Sequence, residues 1–74
     1  MNIKTLKLLE LTGTTLKAIS ADAGITRATL YNNLRDDAVP TLRFALKLEA
    51  TTGINHQFFL YQAPLCMQFA HKVR

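Results

Sequence analysis

Apolar residues recur at helical spacing along most of the chain, and glycine or proline separates one run from the next. Gly13, Gly24 and Gly53 each follow such a run, where a residue that tolerates positive φ ends a helix. Pro40 stands just before the fourth run, after a polar loop. The pattern predicts an all-α fold of five helices, over residues 3–11, 15–23, 26–34, 42–52 and a short segment that contains 58–61.

Four of these helices begin at a residue whose side-chain oxygen can accept a hydrogen bond from an amide of the first turn. These capping residues are Thr15, Thr26, Thr41 and Asn55. In the first helix an apolar side is formed by Ile3, Leu6 and Leu9, with Leu8 and Leu11 beside them. The fourth helix has more than one apolar stripe, so it is either central or shared with a partner. Its apolar residues are Leu42, Phe44, Ala45, Leu46 and Leu48.

The last twelve residues are ambiguous. An alternation of side chains favours a strand: Leu65, Met67, Phe69, His71 and Val73 alternate with Cys66, Gln68, Ala70 and Lys72. The same residues, rich in Leu, Met, Gln, Ala and Lys, also favour a helix. We therefore expect a domain over residues 1–62 and a C-terminal tail over 63–74, with a short strand as the preferred form of the tail.

Size and composition restrict the class of protein. A chain of 74 residues is one domain, and a hydrophobic fraction of 49% is too high for a disordered one. There is no apolar run of the ~18 residues that a membrane span needs, and no signal-peptide pattern, so we expect a cytoplasmic protein. The lone Cys66 can make no internal disulfide and is expected to be an inert, at least partly buried thiol. The net charge of +4 favours a polyanionic partner.

The most informative segment is LKAISADAGITRATLYNNL, two short helices joined at a glycine. An apolar hinge between the two helices is expected from Ile19, Ala23, Ile25, Leu30 and Leu34. If Leu30 points inward, the helical rotation of about 100° per residue turns Ala28, Asn32 and Arg35 away from the core. Thr29 and Tyr31 flank this outward side, which has no acidic residue.

These outward residues suit a DNA duplex. Arg27 and Arg35 can bind guanine or phosphate, Asn32 can bind adenine, and Thr29 can contact a thymine methyl group or a phosphate oxygen. Lysine side chains and helix N-terminal amides are candidate phosphate contacts, the lysines being Lys4, Lys7 and Lys17. The predicted DNA-binding residues are Thr15, Lys17, Thr26, Arg27, Ala28, Thr29, Tyr31, Asn32, Asn33 and Arg35. Any small helical bundle shows polar residues on its outside, so the pattern alone leaves this alternative open.

Residues 15–55, about 41 of the 74, resemble the helix-turn-helix domain of Cro and the phage repressors. The resemblance is carried by Ile19-Ser20, Gly24-Ile25-Thr26, Arg27-Ala28-Thr29-Leu30, Pro40-Thr41-Leu42 and Gly53-Ile54-Asn55. It implies a five-helix, lambda-repressor-like fold that binds an operator as a two-fold dimer. It also implies a transcriptional repressor of bacteria, phage or plasmids. The stretch GITRATLYNN also resembles the DNA-reading head of the TetR repressors, a family that carries a large ligand-binding domain besides.

A dimer is expected because one recognition helix reads few base pairs, and two are needed about 34 Å apart. We expect the dimer contact late in the chain, with pairing of two tail strands as one way to form it, at Phe58, Phe59, Tyr61, Leu65, Met67 and Phe69. The alternative is that these residues cover the domain's own core.

A rival interpretation is an antitoxin or anti-repressor that grips a protein through Phe44, Leu48 and the aromatic C-terminal part. An enzyme is not expected, since His56, His71 and Cys66 have no paired carboxylates at a useful spacing. We expect no cofactor, no metal and no small-molecule ligand.

Overall fold

The computed structural model describes residues 2–73, and this part of the chain is mostly helical. Its α-helices are α1 (Ile3–Thr12), α2 (Leu16–Ala23), α3 (Arg27–Asn33), α4 (Leu42–Thr52) and α5 (His56–Leu60). A 3₁₀ helix follows at Leu65–Phe69. The predicted all-α class is confirmed. Within residues 2–73, no helix has both the length and the apolar character needed to cross a bilayer.

The helix ends lie where the local signals placed them. The capping bonds run from the amides of Ala18, Thr29, Phe44 and Gln57 to the side chains of Thr15, Thr26, Thr41 and Asn55, respectively. Asn2, which the sequence analysis did not identify, caps α1 by accepting a 3.0 Å bond from the amide of Thr5. α1, α2 and α4 each end at a glycine in the left-handed region, with φ between 65° and 78°.

The core is centred on α4 and α5. α4 packs against α2 and α5, while α3 packs against α2 and the 3₁₀ helix packs against α5. The apolar residues with no exposed surface are Leu8, Leu30, Leu34, Ala45, Leu48, Ile54, Phe58, Phe59 and Cys66. Of the two alternatives for this helix, central in the domain or shared with a partner, α4 is thus central. Leu42 and Leu46 of α4 nevertheless remain about half exposed.

α1 buries a different side from the one its leucines indicated. Its buried residues are Lys4, Thr5 and Leu8, whereas Ile3 and Leu6 are 45% and 53% exposed. The Lys4 ammonium group has no exposed surface because two backbone carbonyls accept from it, Ala38 O at 3.3 Å and Phe59 O at 3.2 Å. The expectation that Lys4 contacts a phosphate is therefore wrong.

The tail does not form the expected strand. Residues 65–69 are a 3₁₀ helix, and an isolated antiparallel bridge between Ile54 and Lys72 is the nearest approach to a sheet in residues 2–73. Cys66 enters the core, with Phe69 packed against it, so the segment is held by side chains rather than by a neighbouring strand. The buried position of Cys66 is as expected.

Two of the six residues expected at a dimer contact, and both α4 residues expected to grip a protein, lie in the core instead. Phe58 and Phe59 are fully buried and contact each other edge to face, with ring centroids 5.2 Å apart. Neither ring can supply contact area to a dimer. Phe44 and Leu48, the expected grip of a protein-binding module, are likewise buried by α4's contacts with its neighbours.

Candidate nucleic-acid interface

α3 presents almost all of its side chains to solvent. Leu30 is fully buried, and the helix has no aspartate or glutamate. The exposed residues are Arg27, Ala28, Thr29, Tyr31 and Asn32, preceded by the exposed cap Thr26. This is the outward side that the helical rotation from Leu30 predicted. α3 thus offers a polar and basic surface about two turns long.

The connection between α2 and α3 is three residues long. Gly24 adopts φ +69°, and its amide donates to Ala21 O at 3.3 Å. The next amide, of Ile25, donates to Ser20 O at 3.0 Å, and the Ile25 side chain packs against the core. A Cβ atom on Gly24 would meet nothing within 4 Å. Glycine is therefore favoured here for its positive φ and not for lack of space.

Hydrogen bonds within α3 fix three of the predicted DNA-binding side chains. The Thr26 hydroxyl accepts from the amide of Thr29 and donates to the Thr29 hydroxyl at 2.9 Å. The Thr29 hydroxyl keeps its own proton for an external acceptor such as a phosphate oxygen. Asn33 donates from Nδ2 to Thr29 O at 2.8 Å, so its side-chain nitrogen is hydrogen-bonded within the helix.

A groove of about 300 Å³ runs between the start of α2 and the exposed side of α3. Thr15 and Lys17 line it from α2, and Arg27 and Tyr31 line it from α3. The tertiary structure thereby brings together four predicted residues that are up to sixteen positions apart. Two cationic side chains and the N-terminal amides of α2 make this groove attractive to an anion.

Three other residues line the groove that sequence analysis did not assign to it: Leu9, Thr14 and Leu16. Thr14 is exposed and lies between the C-cap of α1 and the N-cap of α2. The available signal was the dipeptide Thr14-Thr15 after Gly13, in which only the second threonine was assigned a role.

The loop after α3 contains a cation and two carboxylates. Arg35 Nε lies 3.5 Å from Asp37 Oδ1, and both side chains are well exposed. Asp36 instead turns toward α1, where its Oδ1 accepts from the amide of Lys4 at 3.2 Å. Arg35 is therefore available at the surface, with one competing carboxylate beside it.

The remaining lysine candidates differ in their surroundings. Lys17 is exposed at the start of α2, in the groove described above. Lys7 pairs with Glu10 one turn along α1, with 3.3 Å between the ammonium nitrogen and the carboxylate oxygen. Lys17 is accordingly the better placed of the two for an anion.

The titratable groups with shifted pKa values lie inside the domain. Burial lowers the pKa of Lys4, an effect that the nearby Cys66 and Asp36 partly oppose. Burial also raises the pKa of the Cys66 thiol. His56 Nδ1 lies 2.9 Å from Glu49 Oε2, which also accepts from the His56 amide and so joins α4 to α5. These groups support the fold rather than the exposed side of α3.

The arrangement can therefore bind a polyanion by charge and read it by side-chain hydrogen bonds. Among residues 2–73, no group of three His, Cys, Asp or Glu side chains is placed to hold a metal ion. No protein-family model, no curated protein and no solved structure matches the chain.

Proposed function

We propose that this chain is a sequence-specific double-stranded DNA-binding transcription regulator, a small Cro-like repressor that binds a palindromic operator as a dimer. The proposal takes α2 and α3 as the helix-turn-helix unit of a lambda-repressor-like domain. Its support is the resemblance of residues 15–55, the net charge of +4 and the chemistry of the exposed side of α3.

The observation that carries the proposal is the exposure of α3. A helix with a purely structural role buries a stripe of side chains, about three to four in every two turns. α3 is seven residues long, and Leu30 is its one fully buried residue. Tyr31 is half exposed on this helix, which leaves a large ring in solvent beside Arg27. Such a helix is suited to a partner, and its lack of carboxylates favours an anionic one.

Each exposed side chain then has a defined task. In the major groove, Asn32 pairs with adenine and Arg27 with guanine, and each such pair is worth about 1–3 kcal/mol of discrimination. Thr29 contacts a thymine methyl group or donates to a phosphate. Lys17 and the N-terminal amides of α2 bind the phosphates at the edge of the groove, which sets the orientation of α3 on the duplex.

The first test is a selection of bound fragments from a random DNA pool, followed by affinity measurements on the selected sequence over a series of salt concentrations. We expect a preferred sequence with two related halves. The affinity should fall steeply with salt, because lysine and arginine contacts release counterions from the phosphates.

The second test is the double variant Arg27→Ala and Asn32→Ala, measured on the selected sequence. We expect affinity to fall by at least tenfold, with relaxed preference at the affected base pairs, because base-edge contacts are lost. Lys47→Ala is the matched control, since Lys47 is an exposed cation on α4 rather than on α3. Unchanged binding of the double variant would remove α3 as the reading surface.

Weak binding without any preferred sequence would instead favour a protein-interaction module of the same fold. With Phe44 and Leu48 in the core, the exposed apolar residues that α4 offers a protein partner are Leu42 and Leu46.

A further inference from the structure

The outer side of α4 carries apolar side chains that the rest of the domain leaves in solvent. Leu42 and Leu46 are 54% and 45% exposed, and Ala50 is exposed one turn further on. Residues at this four-residue spacing are neighbours on one side of a helix. The buried residues of α4 lie on the opposite side, where the helix packs against α2 and α5. The three exposed side chains therefore form one continuous apolar stripe, about 12 Å long.

Two cations lie along one edge of this stripe. Arg43 precedes Leu46 by three positions and Lys47 precedes Ala50 by three, so each cation adjoins an apolar residue on the helix surface. Both cations are exposed, and neither forms an ion pair within residues 2–73. We call the apolar stripe and its two cations the outer face of α4. This face offers a partner apolar contact area and two positive charges at a defined spacing.

The carboxylate that α4 contains is directed away from these cations. Glu49 follows Leu46 by three positions, at the other edge of the stripe. Its Oε2 accepts from the amide of His56 at 2.6 Å and lies 2.9 Å from His56 Nδ1. These contacts turn the carboxylate toward α5, so α4 does not neutralise the charge of its own outer face.

We infer that the outer face of α4 binds an acidic amphipathic helix of another protein, an inference that goes beyond the proposed function and does not depend on it. A helix docks on an apolar surface through side chains spaced at i, i+3, i+4 and i+7. When leucines of such a helix contact Leu42 and Leu46, carboxylates beside those leucines lie opposite Arg43 and Lys47. Opposite charges at the rim of a contact fix its orientation and accelerate association.

The composition of the outer face of α4 favours this partner over a nucleic acid or a lipid surface. Protein–DNA interfaces are polar and strongly positive, whereas leucines form the middle of this face. A helix that lies on a bilayer buries its main apolar side in the lipid, and in α4 that side is packed against α2 and α5.

The exposed apolar side of α1 provides a contrast. Ile3 and Leu6 are about as exposed as the leucines of α4. The charged residues one turn beyond them, Lys7 and Glu10, pair with each other at 3.3 Å. Because these charges cancel, the exposed side of α1 selects no partner by charge, and it supplies a matched control.

The test is a titration of the full chain with a synthetic peptide, followed by amide chemical shifts in NMR spectra. The peptide has leucine at i, i+3, i+4 and i+7 and glutamate beside the leucines. A second peptide has the same residues in an order that forms no apolar side, and a third has lysine in place of glutamate. We expect the first peptide to bind with a micromolar dissociation constant and to shift the amides of residues 42–50 most. The other two should bind at least tenfold more weakly.

Variants of the chain test the apolar and the charged contacts separately. Leu46→Ala should weaken binding of the glutamate peptide roughly tenfold, as truncation of a central contact residue does. Leu6→Ala is the matched control, since Leu6 is 53% exposed on α1, and it should bind as the natural chain does. The double variant Arg43→Glu and Lys47→Glu should lose the glutamate peptide and gain affinity for the lysine peptide. An unfolded variant could not show this reversal.

Several results would overturn the inference. They are no binding up to millimolar peptide, equal binding of the reordered peptide, largest shifts outside residues 42–50, or an equal loss of affinity in Leu6→Ala. Shifts of residues 42–50 that depend on chain concentration without peptide would assign the outer face of α4 to a second copy instead. Binding of anionic lipid vesicles in place of the peptide would assign it to a membrane.

A further measurement separates this inference from the proposed function. The glutamate peptide should bind equally well to the chain alone and to the chain with the selected DNA bound. A chain that binds the peptide but prefers no DNA sequence would reject the proposed function and leave the outer face of α4 as a docking site. If the double variant Arg43→Glu and Lys47→Glu loses DNA affinity and keeps the glutamate peptide, these cations serve the duplex and the inference fails.

Discussion

α1 and α3 are both short helices that bury a leucine, Leu8 and Leu30, yet α1 also buries a charged side chain and α3 does not. α3 buries Leu30 and exposes Arg27 and Asn32, as an amphipathic helix should. α1 fully buries Lys4 and leaves Ile3 half exposed. In α3, the orientation follows from the helix's own pattern. In α1, the orientation follows from the groups that the helix packs against in the folded chain.

What lies opposite Lys4 is a pair of backbone carbonyls, those of Ala38 and Phe59. The end of a helix and a loop both leave carbonyls without regular partners, and an ammonium group can satisfy two of them at once. The desolvation of Lys4 is a cost that these two bonds offset. A charged residue can therefore occupy a core position where the end of a helix and a loop both present carbonyls to it.

The largest expected effect comes from removing this lysine. Lys4→Ala should lower the free energy of unfolding by about 3–5 kcal/mol, because it removes the donor to one buried and one partly buried carbonyl and opens a cavity. Urea denaturation followed by circular dichroism measures the change. Lys4→Met keeps most of the volume and should cost less.

The matched comparison is Ile3→Ala on the exposed side of α1, for which we expect a loss of about 1 kcal/mol or less. A larger loss for Ile3→Ala than for Lys4→Ala would mean that the leucine-rich side of α1, rather than the lysine side, faces the core.

The next largest effect separates the two sides of α3. Leu30→Ala should cost about 3 kcal/mol of stability through a cavity between α2 and α3. Tyr31→Ala should leave stability nearly unchanged and weaken DNA binding, since Tyr31 lines the groove beside Arg27. Thermal unfolding and DNA affinity, measured on both variants, check this division. A Tyr31→Ala variant that unfolds as readily as Leu30→Ala would contradict it.

A smaller effect concerns the alkaline stability of the α1 side. The pKa of Lys4 is lowered by burial from its ordinary 10.5, so between the lowered pKa and 10.5 the unfolded chain binds the extra proton. Raising the pH through that window therefore increases stability, by up to about 1.4 kcal/mol per pH unit. The pKa of Cys66 is raised from 9.0, so above 9.0 the folded chain binds the extra proton and stability falls.

The two opposed contributions can be separated by mutation. Lys4→Met should show the fall above pH 9.0, and Cys66→Ala should show the rise toward pH 10.5, each relative to the natural chain. Urea midpoints between pH 8 and 11 provide the measurement. Identical pH slopes in both variants would show that these two groups keep ordinary pKa values in the folded chain.

The smallest effect is expected at the exposed ion pair beyond α3. Asp37→Ala removes the partner of Arg35, and we expect a change in stability of less than about 1 kcal/mol, since exposed pairs contribute little. DNA affinity should rise slightly, because Arg35 is released and a carboxylate is removed from the neighbourhood of phosphate. A loss of several kcal/mol would show that this loop is structurally required.

Most of the helix boundaries and the outward side of α3 could be predicted, because both depend on neighbours within about one helical turn. Thr26, for example, caps α3 through the amide of Thr29, three residues along. The tail could not be predicted, since alternation is common to a strand and to a segment with one buried side chain. In the structure, Cys66 is buried in the core and the 3₁₀ helix that carries it packs against α5, a contact that the local pattern does not specify.

The sequence by itself determined the all-α class, the positions of the caps and the polar, acid-free side of α3, since each follows from bonds between nearby residues. Only the tertiary structure decided the burial of Lys4 and the exposure of Ile3 and Leu6 on the same helix. The partners of Lys4 lie 34 and 55 positions along the chain, and no local pattern specifies contacts between residues so far apart. The groove that joins Thr15 and Lys17 to Arg27 and Tyr31 depends on the packing of α2 against α3 in the same way.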